Sequence, residues 1–223
     1  NMKKNYFIGI LITASTLSFA QNIPVDFETS GYGASWTWTV FENSTNPSLQ
    51  IVANPDPTGL NTSSTVARFI ALQAGNPWAG CETMHGSDIG TFSIDTSNSI
   101  IRIMVWKTKI SDVGIKLVTS SAASLGEIKV ANTLINQWEQ LTFDFSAHIG
   151  GLAYDQLVVF PDFVARSAND TMYFDNVFGD AAYLGNDEIS RNTTTVFPNP
   201  TNGIVTVNSD SRIDLIALYS IEG

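Results

Sequence analysis

The chain has 223 residues, with 11 Lys and Arg against 21 Asp and Glu for a formal charge of −10, and a single cysteine, Cys81. Such an excess of acid repels phosphate backbones and argues against a nucleic-acid partner, and one cysteine excludes an intramolecular disulfide. At 43% hydrophobic and 14% charged residues, with many Ser, Thr, Asn and Gly, the composition is that of folded, secreted bacterial β-proteins rather than disordered chain.

At the amino end, Lys3 and Lys4 precede a mostly apolar run from Tyr6 to Leu17, which ends at Ser18-Phe19-Ala20 before Gln21. This is the basic region, apolar region and small-residue cleavage site of a secretory signal peptide. Residues 1–20 are therefore read as an export leader, and the remainder as a secreted or cell-surface protein. The apolar run is shorter than the ~20 residues a bilayer-spanning helix needs, and no later segment is long and apolar enough to span. Loss of Lys3 and Lys4 with the leader leaves nine basic against 21 acidic residues, a formal charge of −12.

Beyond the leader, helical periodicity is almost absent. Period-2 runs rich in β-branched and aromatic residues recur between Gly, Pro, Asn, Asp and Ser clusters. Strands are predicted at Val25 to Glu28, Ser35 to Phe41, Leu49 to Ala53, Val66 to Leu72, Gly90 to Ile94, Ser99 to Lys107, Val113 to Thr119, Gly126 to Val130, Glu139 to Phe145, Gln156 to Pro161 and Thr171 to Phe178. Many short strands with turn signals between them suit an all-β jelly-roll β-sandwich over residues 21–180. In the run Ile101 to Lys107, Ile101, Ile103 and Val105 share the core face while Arg102, Met104 and Trp106 share the other, because successive side chains alternate. The next run, read as its partner strand, repeats this with Val113, Ile115 and Leu117 against Gly114, Lys116 and Val118. A second face mixing Trp, Met and Lys is a candidate ligand platform.

Residues 181–191, with Gly185-Asn186-Asp187-Glu188, read as a polar linker. From Asn192 a new β pattern begins: Thr195-Val196-Phe197, then Pro198-Asn199-Pro200 and Asn202-Gly203, then alternating Ile204-Val205-Thr206-Val207. Pro198 and Pro200 fix φ and remove donors, and Asn202-Gly203 is a tight-turn signal. Residues 192–223 are read as part of a second, small β-sandwich domain.

This last segment resembles the start of the carboxy-terminal sorting domain of proteins exported by the type IX secretion system. The resemblance implies the type IX machinery as a partner, and a sequence truncated within that domain. Residues 22–180 look like a jelly-roll carbohydrate-binding module of bacterial polysaccharide-degrading systems. The resemblance is carried by Val25-Asp26-Phe27-Glu28, Asn76-Pro77-Trp78-Ala79-Gly80, Trp138-Glu139-Gln140-Leu141-Thr142-Phe143-Asp144-Phe145 and Tyr173-Phe174-Asp175-Asn176-Val177. It implies non-catalytic binding of a polysaccharide.

Sugar recognition in water places a flat aromatic face under the apolar C–H face of a pyranose while a few polar groups satisfy the hydroxyls. The candidates are Trp36, Trp78 and Trp106, with Glu82, His85, Arg102 and Lys116 as the polar groups. Trp36 and Trp38 share a strand face, and the sequence leaves open whether both are core or both are platform. Trp138 opens a strand whose Leu141, Phe143 and Phe145 look inward, so it is expected to be buried. Asp26, Glu28 and Asp175 lie on the first and last strands, and hard carboxylate oxygens are what calcium takes. Related modules hold a structural calcium between such acids. No carboxylate pair has a diagnostic glycosidase spacing, His85 and His148 form no HExxH-like pair, and Cys81 reads as a small buried hydrophobe. The alternative to glycan binding is a surface adhesin or structural module without a glycan ligand.

Overall fold

The computed structural model describes residues 23–179 and the backbone of 19–20, 195–197 and 206–208. The segments read in the sequence as a leader, a linker and the start of a sorting domain lie outside the described residues, apart from the backbone of 19–20, 195–197 and 206–208. The strands are β1 (Phe19–Ala20), β2 (Trp38–Phe41), β3 (Gln50–Ala53), β4 (Thr65–Ala71), β5 (Gly80–Thr83), β6 (Phe92–Ser93), β7 (Ile100–Trp106), β8 (Asp112–Val118), β9 (Glu127–Ala131), β10 (Trp138–Asp144), β11 (Ala153–Tyr154), β12 (Gln156–Phe160), β13 (Asp170–Asp175), β14 (Thr195–Phe197) and β15 (Thr206–Asn208). The chain divides into two compact units, residues 1–183 and 184–223.

The first unit is a jelly-roll β-sandwich of two five-stranded sheets, ordered β10-β7-β13-β4-β3 and β2-β5-β12-β8-β9. Every pairing within them is antiparallel. Alternation along each strand sends one side chain in two between the sheets. Ile101, Ile103, Val105, Phe69, Leu141, Phe143 and Phe174 from the first sheet meet Val40, Cys81, Val113, Ile115, Leu117, Leu157 and Val159 from the second in a single core. Each such side chain contributes about 1.5–3 kcal/mol by leaving water. Trp138 is buried and donates its indole N–H to Asn54 Oδ1 at 2.9 Å. Cys81 is fully buried, which pushes its thiol pKa upward and keeps it protonated. A small third sheet, β1-β6-β11, is built around Phe92–Ser93.

The structure corrects the sequence reading of several elements. Val25 to Glu28 is not a strand: Val25 makes one antiparallel bridge to Val177, and Phe27 turns away with φ 52°, in the left-handed region. Strand β5, which the pattern did not mark, runs through Gly80-Cys81-Glu82-Thr83, where no β-branched alternation announces it. The runs 99–107 and 113–119 are not partners, because β7 and β8 lie in opposite sheets.

The connection between β7 and β8 crosses the sandwich, and it is knotted by a buried ammonium. Lys107, 1% exposed, donates through Nζ to Ser111 O at 2.9 Å and Ser111 Oγ at 2.6 Å. Burial holds its pKa down to about 8, an effect only partly opposed by Asp162. Between about pH 8 and the ordinary Lys range the unfolded chain binds more protons than the folded one, so folding stability rises with pH there. Lys107→Met is expected to flatten that rise, which has a limiting slope of about 1.4 kcal/mol per pH unit for one group. Urea unfolding curves between pH 7.5 and 10.5, roughly the interval separating the two states, check it.

In the second unit, β14 and β15 pair antiparallel, with Thr195 opposite Asn208, Val196 opposite Val207 and Phe197 opposite Thr206.

Candidate ligand-binding cleft

Because Val113, Ile115 and Leu117 point into the core, Gly114, Lys116 and Val118 of β8 must point out of the second sheet. The same parity on the other strands produces a straight row across all five. Thr39 is opposite Glu82, Glu82 opposite Val158, Val158 opposite Lys116, and Lys116 opposite Glu127. A parallel row two residues along holds Phe41 opposite Gly80, and Phe160 opposite Gly114. Over these rows lies an open cleft of about 690 Å³, with Trp78, His85, Ala122 and Phe163 added from loops.

One end of the cleft is aromatic. Phe160 meets Phe41 edge-on at 5.8 Å and packs at a tilt against Phe163 at 5.3 Å, and these rings cover Val118 and Val158. The two glycines make room for this. A Cβ on Gly114 would lie 3.0 Å from the Phe160 ring, and one on Gly80 would lie 2.8 Å from the Phe41 ring and 2.6 Å from the Val159 carbonyl oxygen. Lys129 places its ammonium 4.3 Å from the Phe163 ring centroid. Trp78 stands at this wall 48% exposed, an unusual amount of bare indole for a soluble surface.

The middle and far end are polar. Glu82 is partly buried, and desolvation raises its pKa against the pull of His85 and Lys116. His85 Nδ1 lies 2.7 Å from Asp155 Oδ1, which orients the ring. Gln156 donates its side-chain amide to Thr83 O at 2.9 Å, which ties β12 to the end of β5.

The aromatic wall is held from behind by a buried ion cluster centred on Asp162, which is completely buried. Arg166 Nε lies 2.8 Å, Lys109 Nζ 3.1 Å and Lys107 Nζ 3.9 Å from its carboxylate, and Ser111 donates its hydroxyl to it. Arg166 also donates through Nη1 to Asn76 O at 2.9 Å. The cluster therefore fixes both the loop carrying Phe163 and the loop carrying Trp78.

Of the residues singled out in the sequence, Trp78, Glu82, His85 and Lys116 line this cleft. Trp36, Arg102 and Trp106 do not. Trp36 stacks on Trp38 with ring centroids 6.2 Å apart, and both pack against the core. Arg102 and Trp106 are on β7, on the outer face of the other sheet, where Trp106 meets Tyr173 edge-on at 5.5 Å. The sequence reading missed Phe41, Phe160, Phe163, Gln156 and Glu127. A signal for Phe160 was present: Leu157-Val158-Val159-Phe160 is apolar on both faces, so its outward face had to be covered or used.

Each of the three acids considered for calcium is engaged by neighbouring donors. Glu28 Oε1 accepts the amide of Thr65 at 3.0 Å and that of Ser64. Asp26 Oδ1 accepts the amides of Glu28 at 3.2 Å and Tyr32 at 2.9 Å. Asp175 is fully buried, and its carboxylate accepts from Asn61 Nδ2 at 2.9 Å and from the Asn176 amide at 2.8 Å. Burial, with repulsion from Asp26, pushes Asp175 up to about 7. Among the described residues, no group of three or more His, Cys, Asp and Glu side chains is arranged to hold a metal.

Among solved structures the first unit's fold is similar to part of an arabinose-bound GH51 α-L-arabinofuranosidase, at 15% identity and TM-score 0.50 over 71% of this chain and 25% of that one. The chain thus spans about a quarter of that enzyme's length. It is also similar to a variant of a family 29 carbohydrate-binding module, at 11% identity and TM-score 0.42 over 69% of this chain and 87% of that one. A third likeness is the xylan-binding CBM22-1 domain of Xyn10C from Paenibacillus barcinonensis, at 12% identity and TM-score 0.42 over 73% and 95% of the two chains. No protein-family profile and no curated protein sequence matches this chain.

Proposed function

We propose that the sandwich binds a polysaccharide without cleaving it, through the cleft on its second sheet. The observation that carries this reading is Trp78, exposed at the aromatic end of an open cleft whose remaining wall offers carboxylate, ammonium and imidazole groups to hydroxyls. An apolar ring face beside a few fixed polar groups is the chemistry a pyranose requires. The non-catalytic part rests on the sequence, in which no carboxylate pair has a diagnostic glycosidase spacing.

The leader-like amino end and the sorting-domain resemblance support export and display at the cell surface through the type IX machinery. Affinity electrophoresis of the full chain in gels containing soluble polysaccharides tests the binding. Retardation that depends on Trp78 is expected, and mobility unchanged in every gel would move the reading to an adhesin or structural module.

A structural calcium at Asp26 and Asp175 is a second part of the proposal. Both offer hard carboxylate oxygens, and the hydrogen-bond partners recorded for Asp175 are all neutral. Glu28, committed to the amides of residues 64 and 65, falls outside this set. Calcium is expected to raise the thermal midpoint above that in a chelator, and Asp175→Asn to remove the difference. Equal midpoints in calcium and in chelator would exclude the ion.

A further inference from the structure

We infer that the cleft selects neutral polysaccharides and rejects polyuronates and sulfated glycans. The inference rests on the carbohydrate-binding reading and deepens it. The charges in the cleft follow from the register. On the central row, Lys116 has Glu127 directly opposite it on β9 and Glu82 two strands away on β5. Residues directly opposite on adjacent strands have Cβ atoms about 4.5–5.5 Å apart, within reach of charge pairing.

His85, which also lines the cleft, has its ring nitrogen 2.7 Å from the Asp155 carboxylate. Three carboxylates, Glu82, Glu127 and Asp155, thus stand in or against the cleft with two lysines, Lys116 and Lys129, the latter opposite Gly114 on β9 and over the Phe163 ring. Desolvation already raises the pKa of Glu82, so a further negative charge brought beside it meets a half-buried carboxylate in a medium that screens poorly. The net charge of −10 over the chain acts in the same direction at longer range. A neutral sugar has no such conflict. Its hydroxyls donate to the Glu82 and Glu127 carboxylates and accept from the Lys116 ammonium, while Trp78 and Phe163 take its C–H faces.

The row reaches from edge strand β2 to edge strand β9, so a linear chain laid across the strands meets Glu82, Lys116 and Glu127 in turn. An acidic polymer lying there would place carboxylates against both acids. Like-charge juxtaposition of this kind costs several kcal/mol.

The test is affinity electrophoresis of the full chain at low and at moderate salt. One set of gels contains xylan, mixed-linkage β-glucan or glucomannan, and the other contains polygalacturonate, alginate or a sulfated galactan. The wild-type chain is compared with Trp78→Ala and with Glu82→Gln/Glu127→Gln. Retardation by at least one neutral polymer, with about tenfold or weaker affinity for every acidic one, is expected. The double variant is expected to narrow that gap, and added salt to narrow it in the wild type. Retardation by an acidic polymer that equals or exceeds the neutral ones and is lost in Trp78→Ala would overturn the neutrality inference while leaving carbohydrate binding intact. No retardation by any polymer would overturn both.

Discussion

Trp78→Ala is expected to weaken polysaccharide binding about tenfold to a hundredfold while leaving the thermal midpoint almost unmoved. The indole is 48% exposed and lines the cleft beside Phe41 and Phe160. Half of its surface is thus unused by the fold and available to a sugar ring. Truncating an aromatic anchor in a binding site typically costs about 1.5–3 kcal/mol, and each 1.4 kcal/mol is tenfold in affinity. Surface truncations away from caps and ion networks stay within about ±0.5 kcal/mol in stability. The Trp78 backbone is placed by neighbours that survive the substitution: Ala79 N–H donates to Asn76 O at 2.9 Å, and Arg166 holds the same carbonyl. Calorimetry on the retarding polymer and a thermal melt of the same sample separate the two effects. Full affinity in Trp78→Ala would place the ligand elsewhere.

Asp162→Ala is expected to cost about 3–5 kcal/mol of folding stability, a large share of what a domain of this size possesses. Asp162 is one carboxylate facing three cations, and two of these, Lys107 and Arg166, have almost fully buried side chains. Their desolvation is compensated by that charge, so its removal leaves positive groups buried against one another. Lys109 keeps Asp170 at 2.6 Å, which limits the loss to the inner pair. Asp162→Asn should fall between, because the amide retains an acceptor for Arg166 but no charge. Urea unfolding monitored by tryptophan fluorescence reads the midpoint, and a loss under about 1 kcal/mol would show that the cluster relaxes through water. Glycan affinity should fall along with stability in Asp162→Ala, since Phe163 and the Asn76 carbonyl are both anchored through this carboxylate and its arginine partner. In Trp78→Ala the two quantities should separate.

Several parts of the cleft were legible in the sequence. Lys116 was assigned to an outward face because Val113, Ile115 and Leu117 alternate with it, and parity is a local property of a strand. Trp78, Glu82 and His85 were drawn out as polar and aromatic residues outside any marked strand. All three turn out to lie on or beside β5, whose Gly-Cys-Glu-Thr run carries no strand signal of its own. Strand β5 forms because β2 and β12 present free edges on either side of it, an influence from residues about 40 and 75 positions away. Arg102 and Trp106 were grouped with Lys116 on the assumption that consecutive strands pair. That assumption fails in a sandwich where consecutive strands change sheets.

The sequence by itself determined the class of fold and the inward face of most strands, since both follow from period-2 alternation and turn chemistry, which act over a few residues. It also determined that no disulfide contributes, because there is one cysteine. Only the tertiary structure decided which of the two outward faces carries a cleft, which acids meet which cations across it, and that Asp162 anchors both the Phe163 loop and the Trp78 loop. Those outcomes depend on the order of strands and their register, and a shift of one residue would turn every such side chain to the opposite face. They are fixed by contacts between segments far apart in the chain, so no local pattern could have announced them.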